Sequence, residues 1–303
     1  MLLDRLQWVQ FRIVSGRVLT SSTRQGSNMS SWSTSPAQGR SEKVAIETSG
    51  NNVRIHYEFV TPQRTLDVRA DSSGELTITR GRKSGSAVVP LEFQQRPGQE
   101  LVLTLGEAPA AQTIRAPSIW KMFVADPQTA RELAPVLELF RPGWKLAATV
   151  AEVEDALFRR AREGRVPDRA RWTKLVAQLS SPTFADREDA ARQLQQAGPG
   201  IIGFLQSRER GPLDAEQRFR IRVLVDRLSG DQHDTPERIV AVLEMDESIW
   251  LALLRRDDPA QRRLAASHLG LLLGGPIDFN PEGTPAEREQ QIRKLHPQVE
   301  ARP

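Results

Sequence analysis

The sequence predicts an α+β multidomain protein, a small antiparallel β domain followed by an irregular all-α domain. Three observations carry that reading. In Val53–Phe59 the apolar residues Val53, Ile55, Tyr57 and Phe59 alternate with Arg54, His56 and Glu58, the period of a strand with one wet face. After Pro117 the period changes to that of helices, several of which open on an acidic or hydroxyl residue followed by proline: Asp126-Pro127, Thr235-Pro236 and Asp258-Pro259. Finally, one motif recurs in the C-terminal half: Arg187, Ala190, Leu194 with Gly198; Arg218, Ile221, Val225 with Gly230; and Arg262, Ala265, Leu269 with Gly274. Offsets of three and seven put the apolar residues on one helical face and the arginine at its edge, as in helical units that bury their faces only against one another.

Composition sets limits. With 303 residues the chain is long for one core, so two compact regions are expected. The formal charge is +4, and the basic excess is spread out: 14 basic against 10 acidic side chains in residues 1–115, and 15 against 12 in residues 151–230. A nucleic-acid footprint is therefore not demanded. The absence of cysteine removes disulfides, thiolate nucleophiles and sulfur-ligated metals. No run approaches the ~18 apolar residues of a membrane helix. The opening MLLDRLQWVQFRIVSG is interrupted by Asp4, Arg5, Gln7, Gln10 and Arg12 and lacks the core of a secretory signal, so a cytoplasmic location is the default.

In order along the chain, residues 1–41 are expected to be a disordered tail, because residues 20–41 hold eight serines and little apolar content beyond Met29 and Trp32. Met29 is a possible alternative start. Residues 42–116 form the β domain: NVRIHYEF, RTLDVRA, the turn DSSG at 71–74, ELTITR, then AVVPLEF and QELVLTLG, with Pro90 confining its strand to an edge or an interruption. Residues 117–168 read as a helical connector in which Pro135 kinks or divides the first helix. Residues 169–274 are the repeat domain, and 275–303 a loop, a short charged helix and a fraying end.

The stretch LVAQLSSPTFADREDAARQLQQAGPGIIGFLQS, with its helix, Asp-Arg entry, alanine-rich helix, Gly-Pro turn and third helix, resembles a HEAT-like repeat. IRAPSIWKMFVADPQTARELAPVLELFRPGW, LDAEQRFRIRVLVDRL, DTPERIVAVL and LAASHLGLLLGGPIDFNPE are similar to landmarks of a group of uncharacterised bacterial, planctomycete proteins in which such helices follow a β-rich region. The resemblance covers residues 114–295 and implies a helical array without implying an activity. The arginines are spaced 31 and then 44 residues apart, which favours a compact irregular array over a regular superhelix.

Catalytic and metal signatures are missing. The histidines, His56, His233, His268 and His296, have no ligand partner at helical spacing, and His268 reads as a packing residue. No nucleophile elbow, P-loop or dinucleotide fingerprint is present. Asp186, Glu188 and Asp189 fall in a first helical turn, where the macrodipole accounts for them. Asp278, Asn280 and Glu282 alternate oxygens along a loop, a spacing that can hold calcium, without the twelve-residue pattern of an EF-hand. No cofactor and no metal are expected. Arg208, Arg210, Arg218, Arg220, Arg222 and Arg227 form a candidate anion or nucleic-acid ridge, set against a solvated face paired with Asp214, Glu216 and Asp226. Trp120, Trp144, Trp172 and Trp250 are expected to lock helices, and the arginine of each motif copy to pair with acids of an adjacent unit. The functional expectation is a non-catalytic scaffold binding a partner protein or peptide through helical surfaces. Nucleic-acid binding through the arginine ridge is the alternative.

Overall fold

The computed structural model describes residue 2 and residues 8–24, 26–34, 39–164, 169–209, 211–230 and 233–300. The chain divides into two units, Met1–Ala148 and Thr149–Pro303. The described residues include ten strands and eleven helices, with the antiparallel sheets first and the helices after.

The first unit opens with a hairpin of β1 (Val9–Val14) and β2 (Arg17–Ser22). An eight-stranded antiparallel meander follows: β3 (Asn28–Ser33), β4 (Ser41–Ser49), β5 (Asn52–Val60), β6 (Arg64–Asp71), β7 (Leu76–Arg82), β8 (Leu91–Gln95), β9 (Leu101–Leu105) and β10 (Gln112–Ala116), each paired with its chain neighbours. Alternation decides the faces. Val44, Ile46, Val53, Ile55, Tyr57, Phe59, Leu66, Val68, Ile78, Phe93 and Leu103 are buried on one side, while Lys43, Glu47, Arg54 and Arg69 stand exposed on the other.

The hairpin packs over β5 and β6. Its turn, Ser15-Gly16, has both residues at positive φ (51° and 69°), and Gly16 accepts from the Ile119 N–H at 2.9 Å. A Cβ on Gly16 would lie 2.3 Å from Ser118 Cβ, so this approach requires glycine. Gln95, 1% exposed, fastens the hairpin to the sheet. Its amide accepts from the Val18 N–H at 3.0 Å and donates to the carbonyls of Val18 and Gly74 at 2.7 and 2.8 Å. Helices α1 (Ile119–Ala125) and α2 (Pro127–Leu137) close this unit. Arg80, buried on β7, donates to the carbonyls of Val89 and Glu132 and to the Glu132 carboxylate.

Residues 1–41 are therefore not a disordered tail as far as they are described. Val9, Phe11, Ile13 and Val18 are buried, and Phe11 stacks on Phe140 with ring centroids 5.0 Å apart. The serine-rich β3 orders without a buried apolar face because β4 supplies its partners: Asn28 N–H donates to Thr48 Oγ1, and the Thr34 N–H to the Glu42 carbonyl. A chain starting at Met29 would lack the hairpin and uncover this part of the core. The first unit also runs past residue 116 to Ala148, taking in α1, α2 and the first turn of α3 (Leu146–Glu163). Pro135 does not divide α2, which continues through it and stops two residues later. Pro90 lies just outside β8.

The second unit contains the rest of α3 and α4 (Arg169–Gln178), α5 (Phe184–Gln196), α6 (Ile202–Glu209), α7 (Ala215–Ser229), α8 (Pro236–Leu243), α9 (Glu247–Leu253), α10 (Pro259–Leu273) and α11 (Pro285–Glu300). Asp126, Asp214, Thr235, Asp246 and Asp258 each cap a helix by accepting a backbone N–H. One core cluster gathers Leu175, Leu179, Ala190, Leu194, Phe204, Ile221 and Leu224, with Trp172 against it. Elsewhere Trp250 is fully buried, edge-on to Phe158 and tilted 37° against His268 with ring centroids 4.1 Å apart. Ion pairs link distant helical segments: Arg256 to Glu154 at 2.7 Å, Arg160 to Glu244 and Arg169 to Glu247.

The recurrent arginine has a specific geometry. Arg187, Arg218 and Arg262 are each the fourth residue of a helix, and so is Arg288 in α11. Each guanidinium turns back to the carbonyl five residues earlier: Pro182 at 3.1 Å, Leu213 at 3.3 Å, Asp257 at 2.6 Å and Gly283 at 2.7 Å. Arg187 and Arg262 also reach the carbonyl six back. The expected pairing with acids of a neighbouring unit is thus corrected. The arginine satisfies the loop that leads into its own helix, where carbonyls have no helical donor. Arg262, 4% exposed, adds a bond to Pro281 at 2.6 Å.

Two outcomes follow in urea unfolding. Arg262→Ala is expected to cost about 3 kcal/mol and Arg187→Ala about 1 kcal/mol, since the first removes a buried guanidinium that bonds three carbonyls and the second a less buried one that bonds two. Equal losses would contradict this ranking. Gln95→Leu is expected to cost about 2 kcal/mol by orphaning both backbone groups of Val18, and an unchanged midpoint would refute it.

Candidate functional site

Of the six arginines proposed as a ridge, five lie among the described residues, and four of these have partners within the protein. Arg220 is held by Glu216 at 2.6 Å and Glu188 at 2.8 Å, which raises its pKa, the bond to Glu188 contributing most. Arg222 pairs with Glu209, and Arg218 is turned to the Leu213 carbonyl. Arg208 donates to Thr173 Oγ1 at 2.8 Å and lies 5.2 Å from the Phe204 ring centroid. Burial first, and the Arg169 charge second, lower its pKa. Arg227 is exposed, and Arg210 lies outside the described residues. Asp214 serves as N-cap of α7, accepting from the Gln217 N–H at 2.7 Å. Carboxylates, carbonyls and an aromatic face thus consume most of the cationic potential that the sequence suggested.

Two large apolar side chains remain in water beside this network. Phe184, the first residue of α5, is 65% exposed, and Phe219 on α7 is 63% exposed. Glu188 lies one turn beyond Phe184, and Arg220 directly follows Phe219, so the Arg220–Glu188 pair that ties α5 to α7 runs between the two aromatics' helical turns. Arg187 lies 5.6 Å from the Phe184 ring centroid. A hollow of about 830 Å³, lined by Asp155, Arg159, Arg162, Glu237 and Asp258 among others, opens between α3, α8 and α10. Its charges are of both signs.

Two of the three candidate oxygen ligands in the 278–282 loop have protein partners. Asn280 Oδ1 accepts from the Glu282 N–H at 3.0 Å, and Glu282 pairs with Arg263 at 3.6 Å.

A different constellation forms on the wet face of the sheet. His56 and Glu58 alternate along β5, and the register places Asp67 of β6 directly opposite Glu58. His56 Nε2 lies 2.6 Å from Asp67 Oδ2 and 3.5 Å from Glu58 Oε1. Lys43 approaches Glu58 at 3.8 Å and Arg69 approaches Asp67 at 3.2 Å. Among the described residues this is the group of His, Asp and Glu whose potential ligand atoms all lie within 4.8 Å of one another. Period two already put His56 and Glu58 on one face. Asp67 was not recognisable because its position depends on the β5–β6 register. His56 and Arg69 also border a shallow hollow of about 530 Å³ with Met29, Arg54 and Thr77.

No protein-family model, no curated protein and no solved structure matches this chain.

His268 is a packing residue: it is 1% exposed, with Nε2 3.3 Å from the Glu244 carbonyl and Nδ1 unbonded. Burial lowers its pKa from 6.5, against a smaller opposing effect of the Glu244 carbonyl. The unfolded chain therefore binds a proton that the folded one refuses, and stability is lost as pH falls through 6.5 towards the depressed folded value. Urea midpoints recorded between neutral and mildly acid pH should decline for the wild type and decline less for His268→Gln. Parallel curves would contradict the assignment.

Proposed function

We propose that the helical unit is an irregular HEAT-like array and that the protein is a non-catalytic scaffold binding a partner protein or peptide there. One observation carries the reading: Phe184 and Phe219 are exposed on helices that pack against each other, beside the Arg220–Glu188 pair. Exposed aromatics bordered by charge are the anchors on which protein interfaces concentrate their binding energy. The arginine ridge supports nucleic-acid binding less, because Arg220 and Arg222 already have carboxylate partners and would have to exchange them for phosphates.

A photo-crosslinking residue placed at 184 or 219 tests this in extracts of the native organism. The expected result is a discrete crosslinked protein, lost from both positions when the other phenylalanine is replaced by serine. Crosslinks to nucleic acid, with heparin retention falling steeply as salt rises, would replace the scaffold reading by its alternative.

A further inference from the structure

We propose that His56, Glu58 and Asp67 form a binding site for one first-row divalent cation, with Zn²⁺ as the probe, on the wet face of the sheet. This site is independent of the helical surface assigned to a partner.

The argument starts from strand register. Like charges directly opposite each other on neighbouring strands are destabilising, yet Glu58 and Asp67 are direct partners on β5 and β6. The cations that relieve them are loosely held: the side chains of Lys43 and Arg69 are 58% and 68% exposed. Exposed pairs of this kind are worth little and exchange readily with solvent. Both can swing into water without leaving a buried charge. A divalent ion between the carboxylates compensates both at once.

The donor set suits such an ion. An imidazole nitrogen and two carboxylate oxygens serve zinc and neighbouring transition metals, with bonds of about 2.0–2.2 Å, so adjacent donors stand about 3–3.5 Å apart. His56 Nε2 and Glu58 Oε1 are already 3.5 Å apart, and His56 Nε2 and Asp67 Oδ2, at 2.6 Å, need to open only slightly. All three residues project from adjacent strands deep in the ladder, with β4 and β7 flanking them, so their backbones are fixed. Their side chains are 35%, 41% and 35% exposed, leaving an ion free access from water and its remaining coordination positions to water or a small anion.

Isothermal titration of the full chain with Zn²⁺, paired with the visible spectrum of the Co²⁺ complex, tests the site. One equivalent is expected to bind, with affinity lowered at least tenfold in His56→Ala and in the more conservative Glu58→Gln and Asp67→Asn. Circular dichroism checks that each variant folds, and His296→Ala should leave binding unchanged. No binding at millimolar Zn²⁺, or stoichiometric binding indifferent to all three substitutions, would overturn the proposal.

Discussion

The helical unit depends on a constraint that helices cannot meet alone: the carbonyls of the loop preceding a helix point away from its N–H ladder. In α5, α7, α10 and α11 the solution is the same, an arginine in the fourth position reaching back five residues to the carbonyl before the cap. In α7, α10 and α11 a capping side-chain oxygen also accepts a first-turn N–H, whereas Thr183 of α5 makes no such bond and the guanidinium acts there without one. In each case the arginine ties the preceding loop to the first turn of its own helix. Three and seven residues after the arginine, Ala190 and Leu194 in α5 and Ala265 and Leu269 in α10 are buried.

The sheet unit meets the corresponding problem with buried polar side chains. A two-stranded hairpin laid across a meander would leave Val18 without backbone partners, and Gln95 supplies both from β8. Arg80 does the same for carbonyls around β7 and α2. Each is a polar residue on the apolar face of its strand, tolerated because its hydrogen-bonding groups find partners.

Local patterning and long-range pairing explain the errors of the sequence reading. Serine-rich residues 20–41 looked unable to order because composition counts side chains, whereas β3 within them is held by backbone bonds to β4. The arginines from 208 to 227 looked like one surface because they are close in sequence. Arg220, Arg222 and Arg208 instead find partners on other elements, Glu188, Glu209 and Thr173. In the same way Asp67 joins His56 and Glu58 only through register, eleven residues after His56.

The sequence by itself determined the β-then-α order, the wet and dry faces of the central strands, the helix starts at Asp126, Thr235 and Asp258, and the recurrence of the arginine. These depend on interactions within a few residues, where period and capping chemistry decide the outcome. Only the tertiary structure decided that the hairpin belongs to the fold, that the first unit extends to Ala148, and that the recurrent arginines reach backbone carbonyls and not acids of an adjacent unit. It also brought His56, Glu58 and Asp67 together. Those outcomes rest on which strand pairs with which and on which buried group finds a partner, and such pairings leave no local trace along the chain.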